Sequence, residues 1–400
     1  MRSIQNYLQQ AKHSSKSVLY VVAFLPCFIL PFSPLLSYFS AMFMLLLFTR
    51  FNDYIILYIL GFNIAVSGSL IWASRVYFDS DADDFLRYFD TYKEIFSGHY
   101  GAFFSYGGGF EIGFPSFYLL LNTIFGRLYP SEILFFTILV PSLLMVVWVI
   151  KYGIFSLNVS HRALCLFFVF LFFNFYAPSE WSRQSFACVF ILFAFSQQKY
   201  HWKFFFLLIA CLFHLTSLPI FFILEFLKHR PKLTLSLVVL GSLSFVFSFE
   251  FILMAYKIGI IPHIGILEKL NFYSIYQERG IFMNLNLSFM FVLFCMGLLF
   301  SVRIWNDEMK KYWVYFYIVF LWCYIVFLPF SYASNRLTLI FNSFLLGYMF
   351  FVCIRNFSIL AYGVGFLLLL GKFAYWIFDP ASKLWFSYPY YGNFLYYFSF

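Results

Sequence analysis

Long apolar runs separated by short polar breaks occupy the chain from Val18 to Phe378. Each run is about 15 to 25 residues long, which is the length that a helix needs to cross the hydrocarbon core of a membrane. The pattern therefore predicts an all-α, polytopic fold. Predicted spans lie near 18–32, 35–49, 54–73, 132–150, 162–177, 184–198, 233–253, 286–302, 313–329, 338–354 and 358–378. Because no stretch suits a separate soluble domain, residues 1–400 are predicted to form a single polytopic membrane domain.

Two segments do not fit a simple crossing. The run over 112–128 is short and contains Pro115 and Gly126, so we predict a re-entrant or interfacial helix there. The run over 203–227 must leave and return to keep its basic flanks on one side, and HLTSLP, which begins at His214, is the predicted break. With these segments, the chain is predicted to have about 11 to 14 transmembrane or half-spanning helices.

Composition supports the membrane assignment and excludes other classes. The chain is 63% hydrophobic and 11% charged, with a mean hydropathy of +0.84, far from the composition of soluble domains. The net charge of +9 comes from Lys and Arg scattered among short loops, so nucleic acid is not an expected partner. All 7 cysteines fall inside apolar runs without a CxxC pair, which indicates neither disulfides nor a zinc site.

Charge distribution predicts the orientation. Arg2, Lys12 and Lys16 make the N-terminal tail basic, and basic flanks favour the cytoplasmic side. Alternation from there predicts external loops near 75–110 and 255–284 and an external C-terminus. The first apolar run lacks a small-residue cleavage site and is followed at once by more apolar sequence, so we expect it to stay in the mature protein.

Ionisable residues gather at the predicted outer ends of the spans. Such groups beside hydrocarbon are costly unless they face a protein-lined or wet cavity, so together they indicate a functional site. They are Glu111, Glu180, Arg183, His214, Arg279 and Arg336. Simpler interpretations stay open for each one alone: terminal arginines that reach the interface, an interior hydrogen-bonded histidine, Glu180 as the local partner of Arg183, and Glu111 as a helix cap.

Three arginines predict an anionic ligand. Each guanidinium presents a planar fork of donors that matches a phosphate or pyrophosphate better than a sugar, so an anionic lipid-linked substrate is expected. His214 is suited either to accept a proton from a hydroxyl or to hold the phosphate. The run DSDADD over 79–84 has the Asp-x-Asp spacing of some cation sites, but the outer face offers no nucleotide sugars. We therefore interpret the run as a solvated acidic loop and expect no metal.

Several short motifs in order resemble the EpsG/Wzy-type bacterial polysaccharide polymerases. The resemblance covers about residues 75–340 and rests on DDFLRYFDTY, FEIGFPSFYLLLN, SRQSFACVFILFAF, LIACLFHLTSLP and SNRLTLIF. The matching positions are Asp84 with Tyr88, Glu111 with Gly113, Arg183 with Gln184, Phe213 with His214, and Arg336.

The resemblance implies a membrane glycosyltransferase that needs no cofactor or metal. Members of the family join undecaprenyl-pyrophosphate-linked oligosaccharide repeat units into O-antigen or exopolysaccharide at the outer face of the bacterial inner membrane. The implied partners are this lipid-linked oligosaccharide, membrane lipid, a chain-length co-polymerase and a flippase. Two rivals stay open: an O-antigen ligase, which would share the arginines and the histidine, and a polysaccharide flippase or transporter without chemistry, which usually shows internal repeats.

The residues and the resemblance together predict a division of labour. Arg183, Arg336 and Arg279 would bind the pyrophosphate and stabilise the charge that develops on it. His214, Glu111 or Asp84 would orient or deprotonate the acceptor hydroxyl, with inversion at the anomeric carbon. Further predicted contacts to the substrate are Gln184, Tyr88 and Glu180.

Overall fold

The computed structural model describes residues 18–47, 53–75, 83–155, 157, 161–258, 308–327, 334, 336–354 and 358–378. Throughout these ranges the regular structure is helical, and they contain no β-strand. The all-α prediction is confirmed.

The described residues form the following α-helices, given in chain order. They are α1 Leu25–Ile29, α2 Pro34–Leu47, α3 Tyr54–Ala73, α4 Phe85–Phe96, α5 Gly113–Phe125, α6 Pro130–Trp148, α7 Arg162–Phe172, α8 Tyr176–Glu180, α9 Ser182–Ser196, α10 Tyr200–Phe213, α11 Ser217–His229, α12 Pro231–Lys257, α13 Glu308–Val326, α14 Leu346–Ile354 and α15 Ser358–Phe378. Short 3-10 turns at Tyr100–Phe104 and Gly107–Gly109 connect α4 to α5. π-Helical turns follow α6 at Val149–Gly153 and precede α14 at Ile340–Leu345.

In the part of the chain that the structure describes, four helices are long and apolar enough to cross a membrane. They are Tyr54–Ala73, Pro130–Gly153, Pro231–Phe249 and Ile359–Trp376, with mean hydropathies of 1.9, 2.7, 1.8 and 1.6. Several shorter apolar helices accompany them. The polytopic membrane prediction is therefore confirmed. The predicted span near 286–302 lies outside the described residues.

Both segments that were predicted to be irregular are short or broken. Helix α5 has 13 residues, so at about 1.5 Å per residue it is about 20 Å long and cannot cross a core of about 30 Å. Its re-entrant placement stays a prediction. The break at His214 is confirmed: α10 ends at Phe213, His214 has an extended backbone (φ −158°, ψ 122°), and α11 begins at Ser217.

The chain divides into two compact units. The first unit comprises Met1–Ser217 and Ser343–Phe400, and the second unit is Leu218–Asn342. In the second unit, the Trp322 indole of α13 donates to the Ser242 hydroxyl of α12 at 2.8 Å, and Phe249 packs with Phe327 in a small apolar cluster. The external loop predicted over 75–110 lies in the first unit and contains α4. The loop predicted over 255–284 is described only up to residue 258.

An aromatic layer in the first unit packs α5, α9 and α10 together. The ring of Phe186 lies 5.9 Å from that of Phe114 and stacks on Phe213 at 4.8 Å. The edge of Tyr88 meets Phe114 at 5.0 Å, which adds α4 to the same layer. All four rings are buried. Phe114, Phe186 and Phe213 each lie within three residues of a predicted site residue, and Tyr88 is one itself. The packing of this layer therefore fixes the backbone positions from which the site side chains extend.

Gly113 allows the two key helix ends to approach closely. A Cβ atom at this position would lie 3.0 Å from the backbone carbon and oxygen of Leu212, near the end of α10. Those atoms are backbone and cannot swing away, so only glycine fits without shifting α5 from α10. The glycine of the Glu-x-Gly motif thus brings Glu111 next to His214.

Lys372 of α15 stabilises the point at which α7 stops. Its Nζ donates to the carbonyl oxygen of Leu171 at 2.7 Å, and to that of Phe170 at 3.4 Å. A cation at a helix C-terminus satisfies carbonyl groups that have no partner within the helix. This contact stabilises the break between α7 and α8. The position of α9, which follows α8, depends on that break.

Candidate functional site

Glu111 is the centre of a buried polar cluster in the first unit. Its side chain is 4% exposed. Oε1 lies 2.8 Å from Nδ1 of His214 and accepts a hydrogen bond from the backbone amide of Leu215 at 2.9 Å. Oε2 accepts a short hydrogen bond from Nη1 of Arg183. One carboxylate therefore joins a guanidinium and an imidazole that lie 72 and 103 residues away in sequence.

The surroundings of Glu111 favour its ionised form. Burial alone would raise the pKa of this carboxyl group. The hydrogen bond and charge of His214, the charge of Arg183 and the amide of Leu215 act the other way, and together they lower the pKa below its ordinary value. Because an ionised carboxylate only accepts hydrogen bonds, Nδ1 of His214 must be the donor in their contact.

Two tyrosines surround the guanidinium of Arg183. The guanidinium carbon lies 4.2 Å from the ring centroid of Tyr106 and 5.6 Å from that of Tyr88, within the range of cation–π attraction. Nε of Arg183 donates a long hydrogen bond to the Tyr88 hydroxyl at 3.5 Å, and that hydroxyl donates to Oδ2 of Asp84 at 3.4 Å. The Arg183 side chain is 18% exposed, so it is held in place and still reaches the surface.

A glycine-rich turn brings Tyr106 and Glu111 into position. Gly107 has φ +57°, a left-handed conformation that glycine adopts without strain. A Cβ atom at Gly107 would lie only 2.4 Å from Cγ of Glu111. The Tyr106 hydroxyl lies 2.6 Å from Oγ1 of Thr91 on α4, which anchors the turn to that helix.

Five of the predicted site residues lie together. They are Asp84, Tyr88, Glu111, Arg183 and His214. Gln184 is buried, with 6% of its surface exposed. Arg336 is partly buried and belongs to the second unit. Arg279, together with the aspartates at 79 and 81, lies outside the described residues.

The prediction that Glu180 is the partner of Arg183 is wrong. Glu180 is buried and interacts with Tyr176, whereas Arg183 binds Glu111. The physical reason is a turn at Trp181 (φ −105°, ψ 53°), which ends α8 and begins α9. Without a continuous helix, positions three apart no longer share a face. The helix-cap interpretation of Glu111 is also wrong, because its carboxylate binds the amide of Leu215 and α5 has no side-chain cap.

Glu180 has an unusual titration of its own. Burial raises its pKa from 4.5 to about 7, with the nearby charge of Asp83 acting in the same direction, while the hydrogen bond with Tyr176 and the charge of Arg75 oppose the shift. A substantial fraction of Glu180 is therefore protonated near neutral pH.

Three residues of the cluster were not predicted from the sequence. They are Thr91, Tyr106 and Gly107. The run of three glycines over 107–109 is a signal for left-handed backbone and could have drawn attention to the turn before Glu111. No sequence signal distinguishes Tyr106 among the 31 tyrosines, or marks Thr91 as its partner.

The cluster combines a fixed cation with an oriented imidazole. Arg183 is suited to hold an anionic group, and in its neutral form His214, with Nδ1 donating to Glu111, carries its basic lone pair on Nε2. Among the described residues, no group of three or more His, Cys, Asp or Glu side chains is placed to hold a metal ion.

Comparison with known proteins gives a family match. No curated protein and no solved structure matches the chain. The model of the EpsG family matches residues 64–390, a range that contains all the residues of the cluster. The chain therefore belongs to the EpsG family, a family of polysaccharide polymerase-like membrane proteins.

Proposed function

We propose that this protein polymerises lipid-linked oligosaccharide repeat units into O-antigen or exopolysaccharide at the outer face of the bacterial inner membrane. Family membership supports a polysaccharide polymerase role in general terms. The observation that carries the more specific proposal is the bridge that Glu111 makes between Arg183 and His214. It joins an anion-binding group to a candidate base in a single fixed unit.

Arg183 is the proposed ligand of the donor pyrophosphate. Glu111 and Tyr88 engage Nη1 and Nε of its guanidinium, and the rings of Tyr106 and Tyr88 hold its plane. A guanidinium that is held before the substrate arrives costs little reorganisation when charge develops on a leaving group. Arg336 and Arg279 are proposed as further pyrophosphate ligands, and Gln184 as a contact to the substrate.

His214 is the proposed base. A carboxylate whose pKa is lowered below its ordinary value is a weak base, which argues against Glu111 in that role. Glu111 is better suited to orient the imidazole and to stabilise its protonated form, as the carboxylate does in a Ser-His-Asp triad. Asp84 is then proposed to orient Tyr88, whose hydroxyl donates to its Oδ2.

The proposed reaction transfers the growing chain to a new repeat unit. A hydroxyl of the sugar at the non-reducing end of the new unit attacks the anomeric carbon of the chain and gives its proton to Nε2 of His214. The bond between that carbon and the pyrophosphate oxygen breaks, and the electron pair leaves with undecaprenyl pyrophosphate, which Arg183 stabilises. The products are a longer chain on the acceptor lipid and free undecaprenyl pyrophosphate, with inversion at the anomeric carbon.

The setting of the reaction follows from the predicted topology. With the predicted cytoplasmic N-terminus and external C-terminus, the cluster would lie on the outer side, where flipped lipid-linked units arrive. We propose that a flippase supplies these units and that a co-polymerase sets chain length.

The test is complementation of a deletion of this gene in its host, with surface polysaccharide resolved on a gel. Wild type should restore a ladder of long chains. Arg183→Lys keeps the charge but loses the fork of donors, and His214→Gln removes the base, so each should leave a band of one repeat unit and at least about 100-fold less polymer. The matched controls are Arg127→Lys and His99→Gln, which change exposed residues in the same way and should restore the full ladder.

Other outcomes would identify the rivals. Unattached long chains in the deletion strain would indicate a ligase. Loss of all external material, including the single repeat unit, would indicate a flippase or transporter. Full ladders from both Arg183→Lys and His214→Gln, with membrane levels equal to wild type, would refute the proposed site.

A further inference from the structure

A buried ion pair outside the cluster joins α4, which carries Tyr88, to α8, which precedes the helix of Arg183. Arg75 follows α3, and its Nη1 and Nη2 donate to Oδ2 and Oδ1 of Asp83 at 2.7 and 2.9 Å. Oδ1 of Asp83 also accepts from the backbone amide of Phe85, the first residue of α4, at 3.1 Å. Nη2 of Arg75 donates to the carbonyl oxygen of Ser179 on α8 at 3.2 Å. A single guanidinium therefore ties the beginning of α4 to the end of α8.

The ion pair is too deeply buried to contact a substrate, which is consistent with a structural role. The side chain of Arg75 is 0% exposed and that of Asp83 is 6% exposed. The rings of Phe85 and Tyr176 also lie near Arg75, 5.8 and 5.7 Å from its guanidinium carbon. Buried ion pairs often add little net stability compared with apolar residues of the same size. What this pair supplies is a fixed distance and orientation between two elements.

Both tied elements lead directly into the cluster. Helix α4 carries Tyr88, one turn after Phe85. The end of α8 is followed by the turn at Trp181 and then by Arg183 on α9. The contact between Tyr88 and Arg183 is long, at 3.5 Å, so a small shift of α4 would break it.

We propose that Arg75 and Asp83 are positioning residues, which hold Tyr88 against Arg183 and thereby aim the guanidinium at its anionic ligand. The identity of the anionic ligand rests on the proposed function, whereas the role of the ion pair in placing α4 is independent of it. The residues act through Tyr88, and this predicts a specific pattern of coupling between variants.

The test uses the paired substitution Arg75→Met with Asp83→Asn. Removing both charges together avoids leaving one buried charge without its partner, and Asn at position 83 can still accept from the amide of Phe85. Four full-length proteins are compared: wild type, the paired variant, Tyr88→Phe, and all three substitutions together. Polymer formed in the host per amount of protein in the membrane should fall at least tenfold for the paired variant. In the Tyr88→Phe background, the same pair should cost less than twofold.

A second measurement does not depend on the activity. Hydrogen–deuterium exchange of the purified full-length protein should be at least tenfold faster over 85–92 in the paired variant, with exchange over 186–195 unchanged. If the paired variant does not accumulate, Arg75→Lys replaces it, since one ammonium cannot bind Asp83 and Ser179 through the same fork.

Each result decides the proposal. Equal losses in both backgrounds would show a general structural role and overturn it. Unchanged exchange over 85–92 would also overturn it, whether or not the protein is a polymerase. If wild type forms no polymer while the exchange result holds, the proposed function fails and the positioning of α4 stands.

Discussion

Gly107→Ala should show whether the position of the Glu111 carboxylate determines activity, separately from any loss of stability in the turn. The new Cβ would lie 2.4 Å from Cγ and 2.7 Å from Cδ of Glu111. Non-bonded carbon atoms prefer about 3.5 to 4.0 Å, so the carboxylate must move by about 1 Å or more. Such a shift would weaken its contacts with both Arg183 and His214.

Two costs contribute to the expected effect of Gly107→Ala. Alanine at φ +57° carries a strain of about 1 kcal/mol, which affects stability. Displacing reacting groups by about 1 Å can cost about 100-fold in rate, which corresponds to about 2.7 kcal/mol of transition-state stabilisation. We therefore expect a modest loss of stability and a loss of polymer formation of about 100-fold.

Gly108→Ala is the matched control. Its φ of +66° gives alanine the same strain, but a Cβ at Gly108 meets no atom within 4 Å. The assay is polymer formed per amount of protein in the membrane, together with the thermal unfolding midpoint in detergent. Both variants should unfold at similar temperatures, and only Gly107→Ala should lose activity. Equal activity in the two variants would refute the argument that the approach of Gly107 to Glu111 sets the site.

Three further predictions follow from the same region. Tyr106→Phe keeps the ring over Arg183 and should retain activity within about fivefold, whereas Tyr106→Ala removes the cation–π contact and should lose more than that, as polymer assays would show. Phe186→Ala removes a fully enclosed ring that stacks on Phe213 and should lower the free energy of unfolding by about 3 to 5 kcal/mol, measured by denaturation. The raised pKa of Glu180 means that the folded state favours its protonated form, so this contribution to stability is present below pH 4.5 and is lost as pH rises to about 7. Glu180→Gln should remove that part of the pH dependence, on the order of 3 kcal/mol, in unfolding midpoints recorded from pH 4 to 8; an unchanged slope would contradict the assignment.

The extent to which the cluster could be predicted differs from residue to residue. Glu111, Arg183 and His214 could be selected because ionisable groups at the ends of apolar runs are costly unless they face a protein-lined or wet cavity. Asp84 and Tyr88 could be selected only through the resemblance to the EpsG/Wzy-type polymerases. Tyr106 could not, since its role depends on a ring meeting a guanidinium 77 positions away and not on any local pattern. The placement of Arg336 and Arg279 relative to these five stays a prediction.

By itself, the sequence determined the helical membrane architecture and the break at His214. Hydropathy acts locally: an apolar run in lipid must bond its own backbone, and a polar turn such as HLTSLP interrupts that run wherever it stands. Only the tertiary structure decided which charges are partners. The short spacing from Glu180 to Arg183 suggested a pair, but the turn at Trp181 separates them, and Arg183 binds Glu111 instead. The close approach of α5 and α10 at Gly113 brings the same carboxylate to His214. Ion pairs depend on distance in space, and that distance is set by packing between helices far apart in the chain.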